Sequence, residues 1–206
     1  MPPAMDTEAI HTRRLTLLPL LADHAGELAA VLSDPALHTF TGGAPASPEA
    51  LRTRHERLVA GSPDPAVTWC NWVIQLRDRG CLAGTVQATV TVDAHGSAAE
   101  VAWVVGTDWQ RRGIATEAAR GLVAWLRHRS VQTLIAHIHP DHHASAAVAA
   151  AAGFTPTGHE QDGETRWQRV PEVAGSRTAA GGAAGSGAAY DAVYAATSDA
   201  AGRRAR

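Results

Sequence analysis

The sequence predicts an α+β domain built on a mostly antiparallel sheet flanked by helices. Three observations carry that prediction. Three apolar runs, 67–76, 82–92 and 99–105, are joined by short turns at Asp78-Arg79-Gly80 and His95-Gly96, the pattern of an antiparallel meander. Segments with helical apolar spacing lie before and after the meander, not between its strands. The last of these strands passes through one tight turn, Gln110-Arg111-Arg112-Gly113, into a long helical run.

The remaining elements follow in order. Residues 13–20 read as a strand stopped at Pro19. Ala25, Leu28, Ala29 and Leu32 recur at helical spacing, and Asp34-Pro35 ends that helix. His38 to Gly43 is a loop. Ser47 caps the next helix, with Pro48 at its first position, and the helix runs to about Ala60 before a Gly61-Ser62-Pro63 turn. Beyond the meander come a helix over 115–127, a strand over 133–139 and an Ala-rich helix over 144–152 stopped by Gly153. A hairpin, 154–157 with 164–170, closes the domain across Gln161-Asp162-Gly163. From Pro171 onward the chain is rich in Ala, Gly and Ser and lacks the large apolar residues a core needs. The organisation read is an N-terminal extension over 1–11, one domain over 12–170 and a disordered tail over 171–206. The tail ends in Arg203-Arg204-Ala205-Arg206, for which a basic interaction segment is the alternative reading.

Composition removes several function classes. All 18 Lys+Arg residues are Arg, so neither lysine Schiff-base chemistry nor a P-loop lysine is available. A formal net charge of −2 leaves no electrostatic footprint for nucleic acid. Cys70 and Cys81 are too few for a disulfide framework and suit a reducing cytoplasm. No leader pattern opens the chain and no apolar run reaches membrane-spanning length. The expectation is a cytoplasmic protein without nucleic-acid or membrane partners, with a homodimer left open.

The tight turn is the most informative stretch. Backbone N–H groups at a helix start lack internal partners, and the helix dipole favours an anion there. Gly113 lets the backbone approach a ligand closely. Gln110-Arg111-Arg112-Gly113-Ile114-Ala115 fits the pattern Gln/Arg-x-x-Gly-x-Gly/Ala position by position. With it, the chain resembles the GNAT superfamily of acetyl-CoA-dependent N-acetyltransferases. The run Trp109 to Ala118 is most similar to the branch containing ribosomal-protein N-terminal acetyltransferases. A second match is Pro140-Asp141-His142-His143-Ala144-Ser145, closing with Gly153-Phe154. The similarity covers residues 12–170.

The resemblance implies a GNAT-type sheet whose two central strands splay apart, with the thioester in the gap. It implies that acetyl-CoA is the cosubstrate and that no metal takes part. The backbone from Arg111 to Ala115, with Thr116, would hold the pyrophosphate, behind Gln110. The backbone of Trp103, Val104 and Val105 would pair with the pantetheine arm, and the N–H near Val105 would face the thioester oxygen. His142 stands where the family has an Asn in its CoA motif. The acceptor would be a primary amine, on a protein N-terminus or a small molecule. Such an amine is mostly protonated at neutral pH and needs a base.

Glu100 is the best carboxylate for that base, and Ser145 is the hydroxyl matched to the thioester sulfur. Alternation puts Glu100 with Ala102 and Val104 on one strand face, unless a bulge at the splay shifts the register. The competing readings are a strand-end surface carboxylate for Glu100 and a helix-capping hydroxyl for Ser145. Glu117, in a first helical turn, reads as dipole or capping chemistry. Trp72 and Trp103 read as core, while Trp69, Asn71 and the His38 loop would line the acceptor cleft. His137, His139, His142 and His143 invite a zinc reading, disfavoured because the cluster straddles a strand end and a helix start where the resemblance places CoA and acceptor. Ala149 occupies the place of the Tyr general acid found in many family members. That departure keeps alive a non-catalytic acyl-CoA-binding module. A dinucleotide binder is disfavoured by the absence of Gly-x-Gly-x-x-Gly and of a βαβ unit.

Overall fold

The computed structural model describes residues 5–40, 42–94 and 96–170; the tail expected over 171–206 lies outside them. The strands are β1 (Ile10–His11), β2 (Leu15–Pro19), β3 (Val67–Leu76), β4 (Leu82–Asp93), β5 (Gly96–Val105), β6 (Thr133–Ile138), β7 (Thr155–Gln161) and β8 (Glu164–Arg169). The α-helices are α1 (Ala25–Val31), α2 (Pro48–Ala60), α3 (Ile114–His128) and α4 (His143–Ala151). Short 3-10 turns occupy Ala22–His24, Pro35–His38 and Thr107–Trp109. Ser47 caps α2 by accepting from the Ala50 N–H, as its place before Pro48 requires.

The sheet order is β1-β2-β3-β4-β5-β6-β8-β7. Every neighbouring pair is antiparallel except β5 with β6. Strand alternation sends Leu15, Leu17, Trp72, Ile74, Val86 and Val101 to one face, under α3 and α4. The stripe Ile114, Ala118, Leu122, Trp125 and Leu126 seals α3 onto it. Val73 and Leu82 point the other way, beneath Leu28 of α1 and Leu51 and Leu58 of α2.

The stretch read as an N-terminal extension is tied to this core from residue 8 onward. β1 pairs with β2. The Trp72 indole donates to the Glu8 carbonyl at 2.9 Å, and the Arg129 guanidinium meets the Glu8 carboxylate at 2.7 Å. A two-residue strand leaves no periodic signal, which is why the sequence conceals it.

Glu117 locks the tight turn to the sheet. Its carboxylate accepts from the Thr12 hydroxyl, the Arg14 N–H and the Arg14 Nε, each at 2.7 Å. Arg14 also donates to the Arg112 carbonyl at 3.0 Å. Burial pushes the Glu117 carboxyl up, but the hydrogen bonds from Arg14 and Thr12 outweigh it and hold it below the ordinary range. Glu117 is therefore structural, though it braces β2 and does not cap its own helix. Arg14 is too exposed for its charge to count for much; the hydrogen bonds carry the effect. Glu117→Gln is expected to cost about 1–3 kcal/mol at pH 7. A lowered carboxyl contributes stability above its unfolded value that is lost as pH falls through the folded one. Denaturant unfolding should therefore show the variant's deficit shrinking below about pH 4.5.

Candidate functional site

The site begins where β5 and β6 part. They pair only at Ala98↔Thr133, Ala99↔Leu134 and Glu100↔Ile135. β5 then continues to Val105 along β4, and β6 to Ile138 along β8. The β4–β5 register runs unbroken from Asp93↔Gly96 to Gly84↔Val105. The expected bulge is absent: the strands diverge and Glu100 keeps its alternation.

The Gly106 N–H donates to the Ala83 carbonyl at 2.9 Å. Antiparallel alternation then turns the main chain of residues 102 and 104 toward β4, and that of Val101, Trp103 and Val105 into the gap. Trp103 and Val105 thus present backbone where the pantetheine arm was expected. Val104 differs: it sits in the β4 ladder opposite Thr85 and has only a side chain to offer. The Gln110 side chain donates to the Val105 carbonyl at 3.0 Å, pinning the turn to the end of β5.

In the turn, Arg111 (φ 60°) and Gly113 (φ 74°) are left-handed, and Gly113 is the N-cap of α3. A Cβ on Gly113 would lie 3.4 Å from the Arg14 guanidinium. The N–H groups of Ile114, Ala115 and Thr116 open a 15-residue helix and have no intrahelical acceptor. The Ile114 side chain is core, so only its backbone can serve a ligand. Arg112 stacks over Trp109 at 5.2 Å. Arg13, Arg14, Arg77 and Arg79 join it around an open cleft beside the turn. In a chain of net charge −2 this is a local concentration of positive charge.

Two side-chain bridges span the gap. The Trp103 indole donates to Ser145 Oγ, 3.2 Å away on α4. Trp103 is therefore half-buried at the gap and not simply core, and Ser145 does not cap its helix. On the opposite sheet face, Glu100 Oε1 lies 3.0 Å from His137 Nδ1, with side-chain exposures of 20% and 12%. Glu164 faces the same pair; burial pushes its carboxyl up, while the nearby His137 pulls it down and Glu100 raises it.

The loop after α1 closes the mouth. Phe40 stacks on His142 at 4.4 Å and leans on His139 at 5.2 Å. His142 is the residue before α4 and makes no side-chain cap. Burial first, and His139 second, hold it below the ordinary histidine value. The four histidines read as a cluster thus have different surroundings: His137 meets Glu100, His139 and His142 meet Phe40, and His143 opens α4 at the surface. Among the described residues no group of three His, Cys, Asp or Glu is placed to hold a metal ion.

Beneath α1 and α2 lies a cavity lined by Leu28, Leu51, Leu58, His55, Asn71 and Gln87, among others. Asn71 and His38, both read as acceptor-cleft residues, line this cavity, while Trp69 packs beside it. His55 is 3% exposed, and its Nδ1 has no partner among the described residues.

The acetyltransferase (GNAT) domain model matches residues 14–155. The chain belongs to the GNAT acetyltransferase family. Among curated proteins none matches it significantly in sequence. Solved structures resemble this GNAT chain in fold. The ribosomal-protein-S5-alanine acetyltransferase from Vibrio fischeri has a TM-score of 0.66 at 18% identity, covering 80% of this chain and 97% of that one. The acetyltransferase from Salmonella typhimurium that modifies the N-terminal serine of L7/L12 has a TM-score of 0.65 at 18% identity, with 80% and 100% covered. The microcin C7 self-immunity acetyltransferase MccE, solved with acetyl-CoA and AMP, gives 0.64 at 18%, with 78% and 94% covered. The mostly antiparallel GNAT sheet predicted from sequence is thereby established. Among the described residues no helix is long and apolar enough to cross a membrane.

Sequence reasoning missed Glu164 and His55, met His137 only within the histidine cluster, and met Phe40 only as part of the His38 loop. His137 shares a face with Ile135, the partner of Glu100, and only the β5–β6 pairing reveals it. The others lie on elements brought in from elsewhere. Burial of His55 pulls its imidazole down to about 4, against a hydrogen bond with the Leu21 backbone that raises it. The folded ring stays neutral while the unfolded chain protonates below about pH 6.5. Stability is therefore full above that pH and declines as pH falls toward 4, by up to about 3 kcal/mol. Denaturant titrations at pH 7.5 and 4.5 should show a smaller acid loss in His55→Leu than in wild type.

Proposed function

We propose that this GNAT chain is an acetyl-CoA-dependent N-acetyltransferase that moves acetyl to a primary amine by direct attack on the thioester. The observation that carries the reading is continuity. The open backbone edge of Trp103 and Val105 leads, through Gln110, into the left-handed Arg111–Gly113 turn at the start of α3. One surface thus offers strand-like pairing for a pantetheine arm and then helix N–H donors for a pyrophosphate. The arginine cleft beside the turn would draw in the anion.

The gap then supplies the chemistry. Glu100 and His137 form a hydrogen-bonded pair on the α1–α2 face, suited to accept a proton from the ammonium directly or through one water. The free amine attacks the thioester carbon. The Val105 N–H is the donor for the oxygen as it becomes negative, worth on the order of 3 kcal/mol by analogy with other oxyanion sites. The indole of Trp103 can only donate, so Ser145 Oγ acts as its acceptor and keeps its own proton free. That proton is available to the departing thiolate, in a chain with Ala149 where a Tyr acid would stand. His142 shapes the mouth through Phe40 and need not touch the cosubstrate. The acceptor is a primary amine, and the resemblance in fold to ribosomal-protein acetyltransferases favours a peptide N-terminus. A cytoplasmic setting accords with the two free cysteines.

Two measurements test this. Calorimetry with acetyl-CoA should show Gly113→Asp binding at least tenfold weaker than wild type, about 1.4 kcal/mol; equal affinity overturns the phosphate-turn assignment. Release of free CoA should fall by on the order of 10²-fold or more in Glu100→Gln, with acetyl-CoA affinity retained. An unchanged kcat removes Glu100 from the reaction.

A further inference from the structure

We infer that the cavity beneath α1 and α2 receives an apolar arm of the acceptor, so that the preferred substrates are monoamines carrying one medium-sized apolar substituent. This rests on the proposed acetyl transfer at the β5–β6 gap.

Position comes first. The cavity floor is Asn71, Thr85 and Gln87. Gln87 stands opposite Ala102 and Thr85 opposite Val104 on β5. Thr85 and Gln87 are therefore one strand, about 5 Å, from the open edge, and Asn71 on β3 lies one strand beyond them. The rim includes Leu37, His38 and Ala46. Phe40, from the same loop, rests on His139 and His142 across the mouth of the gap. An amine nitrogen beside Glu100 and His137 would have its substituent directed under α1 and α2.

Chemistry comes second. Leu20, Leu28, Leu32, Leu51 and Leu58 form the walls beside Arg54, and among the described residues no Asp or Glu lines the cavity. A second ammonium group entering it would lose its hydration with no counter-charge to replace it. The carboxylates lie instead at the gap, where Glu100 and Glu164 flank His137, so only the reacting nitrogen meets negative charge. Discrimination between one amine and several is thus built into the division of the site. His55 adds one more feature: its buried Nδ1 lacks a partner among the described residues and borders the cavity. A single uncharged hydrogen-bonding group on the arm would satisfy it.

The same chemistry is offered by a peptide with an apolar first residue and by a small arylalkylamine. The experiment measures CoA release from the full chain with a Leu-first tetrapeptide, a Ser-first tetrapeptide, 2-phenylethylamine, tyramine, spermidine and kanamycin. The inference expects kcat/KM at least tenfold higher for the Leu-first peptide, or for the two arylalkylamines, than for the Ser-first peptide and the polycations. Which of the two leads identifies the source. Leu32→Glu, at the half-buried edge of the cavity, should lower kcat/KM for the favoured acceptor at least tenfold while acetyl-CoA affinity by calorimetry stays within twofold. Leu32→Met should keep activity, which separates loss of the apolar wall from loss of the fold. Preferred use of spermidine, kanamycin or the Ser-first peptide overturns the inference and leaves the acetyltransferase reading standing. Acetyl-CoA binding without CoA release for any amine overturns both.

Discussion

The early parting of β5 and β6 is the constraint on which the site depends. Parallel strands in a sheet normally pair along their length, and here pairing ends at Glu100↔Ile135. Each strand keeps a full ladder on its other side, β5 with β4 and β6 with β8. The gap therefore costs the sheet little, because only one edge of each strand is released. That edge is polar backbone in a part-buried setting, which needs hydrogen-bond partners. A ligand with alternating amide groups is the natural one. The gap is also bridged by side chains of different character on its two sides. The Trp103–Ser145 bond ties β5 to α4 on the α3–α4 side. The Glu100–His137 pair ties β5 to β6 on the α1–α2 side.

The two faces of the sheet consequently carry different chemistry. The α3 side holds the left-handed turn proposed to seat phosphate, tied by Glu117 to Arg14 just before β2, with arginines around it. The α1–α2 side holds carboxylates, an imidazole and an apolar cavity. In the proposed reaction, a cosubstrate bearing phosphates and an amine bearing a positive charge would approach from opposite sides of one gap, and the reacting atoms would meet where the strands diverge. No bulge is needed for this, because the register of β5 on β4 is unbroken.

Much of the fold is legible in the sequence for local reasons. Ser47-Pro48, Gly61, Asp78-Arg79-Gly80 and Gly153 mark their boundaries by backbone preference. The turn from Gln110 to Ala115 is legible because its backbone needs a Gly in the left-handed region at position 113 and a helix after it. Ser145 and Glu100 are visible as candidates, but not their partners. Nothing in the periodicity of residues 133–139 pairs His137 with Glu100, and nothing near Phe40 points to His142.

The sequence by itself determined the family, the order of elements apart from β1, and the turn proposed to seat phosphate. Each of these is written in short-range patterns of backbone freedom and apolar spacing. Tertiary structure alone decided which side chains act together. It gave Trp103, packed against the core, a bond to Ser145, put Val104 in the β4 ladder, and brought Glu164 and His137 to Glu100. It also lodged His55 in a cavity that no carboxylate lines among the described residues. These are contacts between residues far apart in the chain, and their geometry depends on sheet order and on where a strand pair ends. Those two quantities arise from packing the whole domain at once, and no local run of residues carries them.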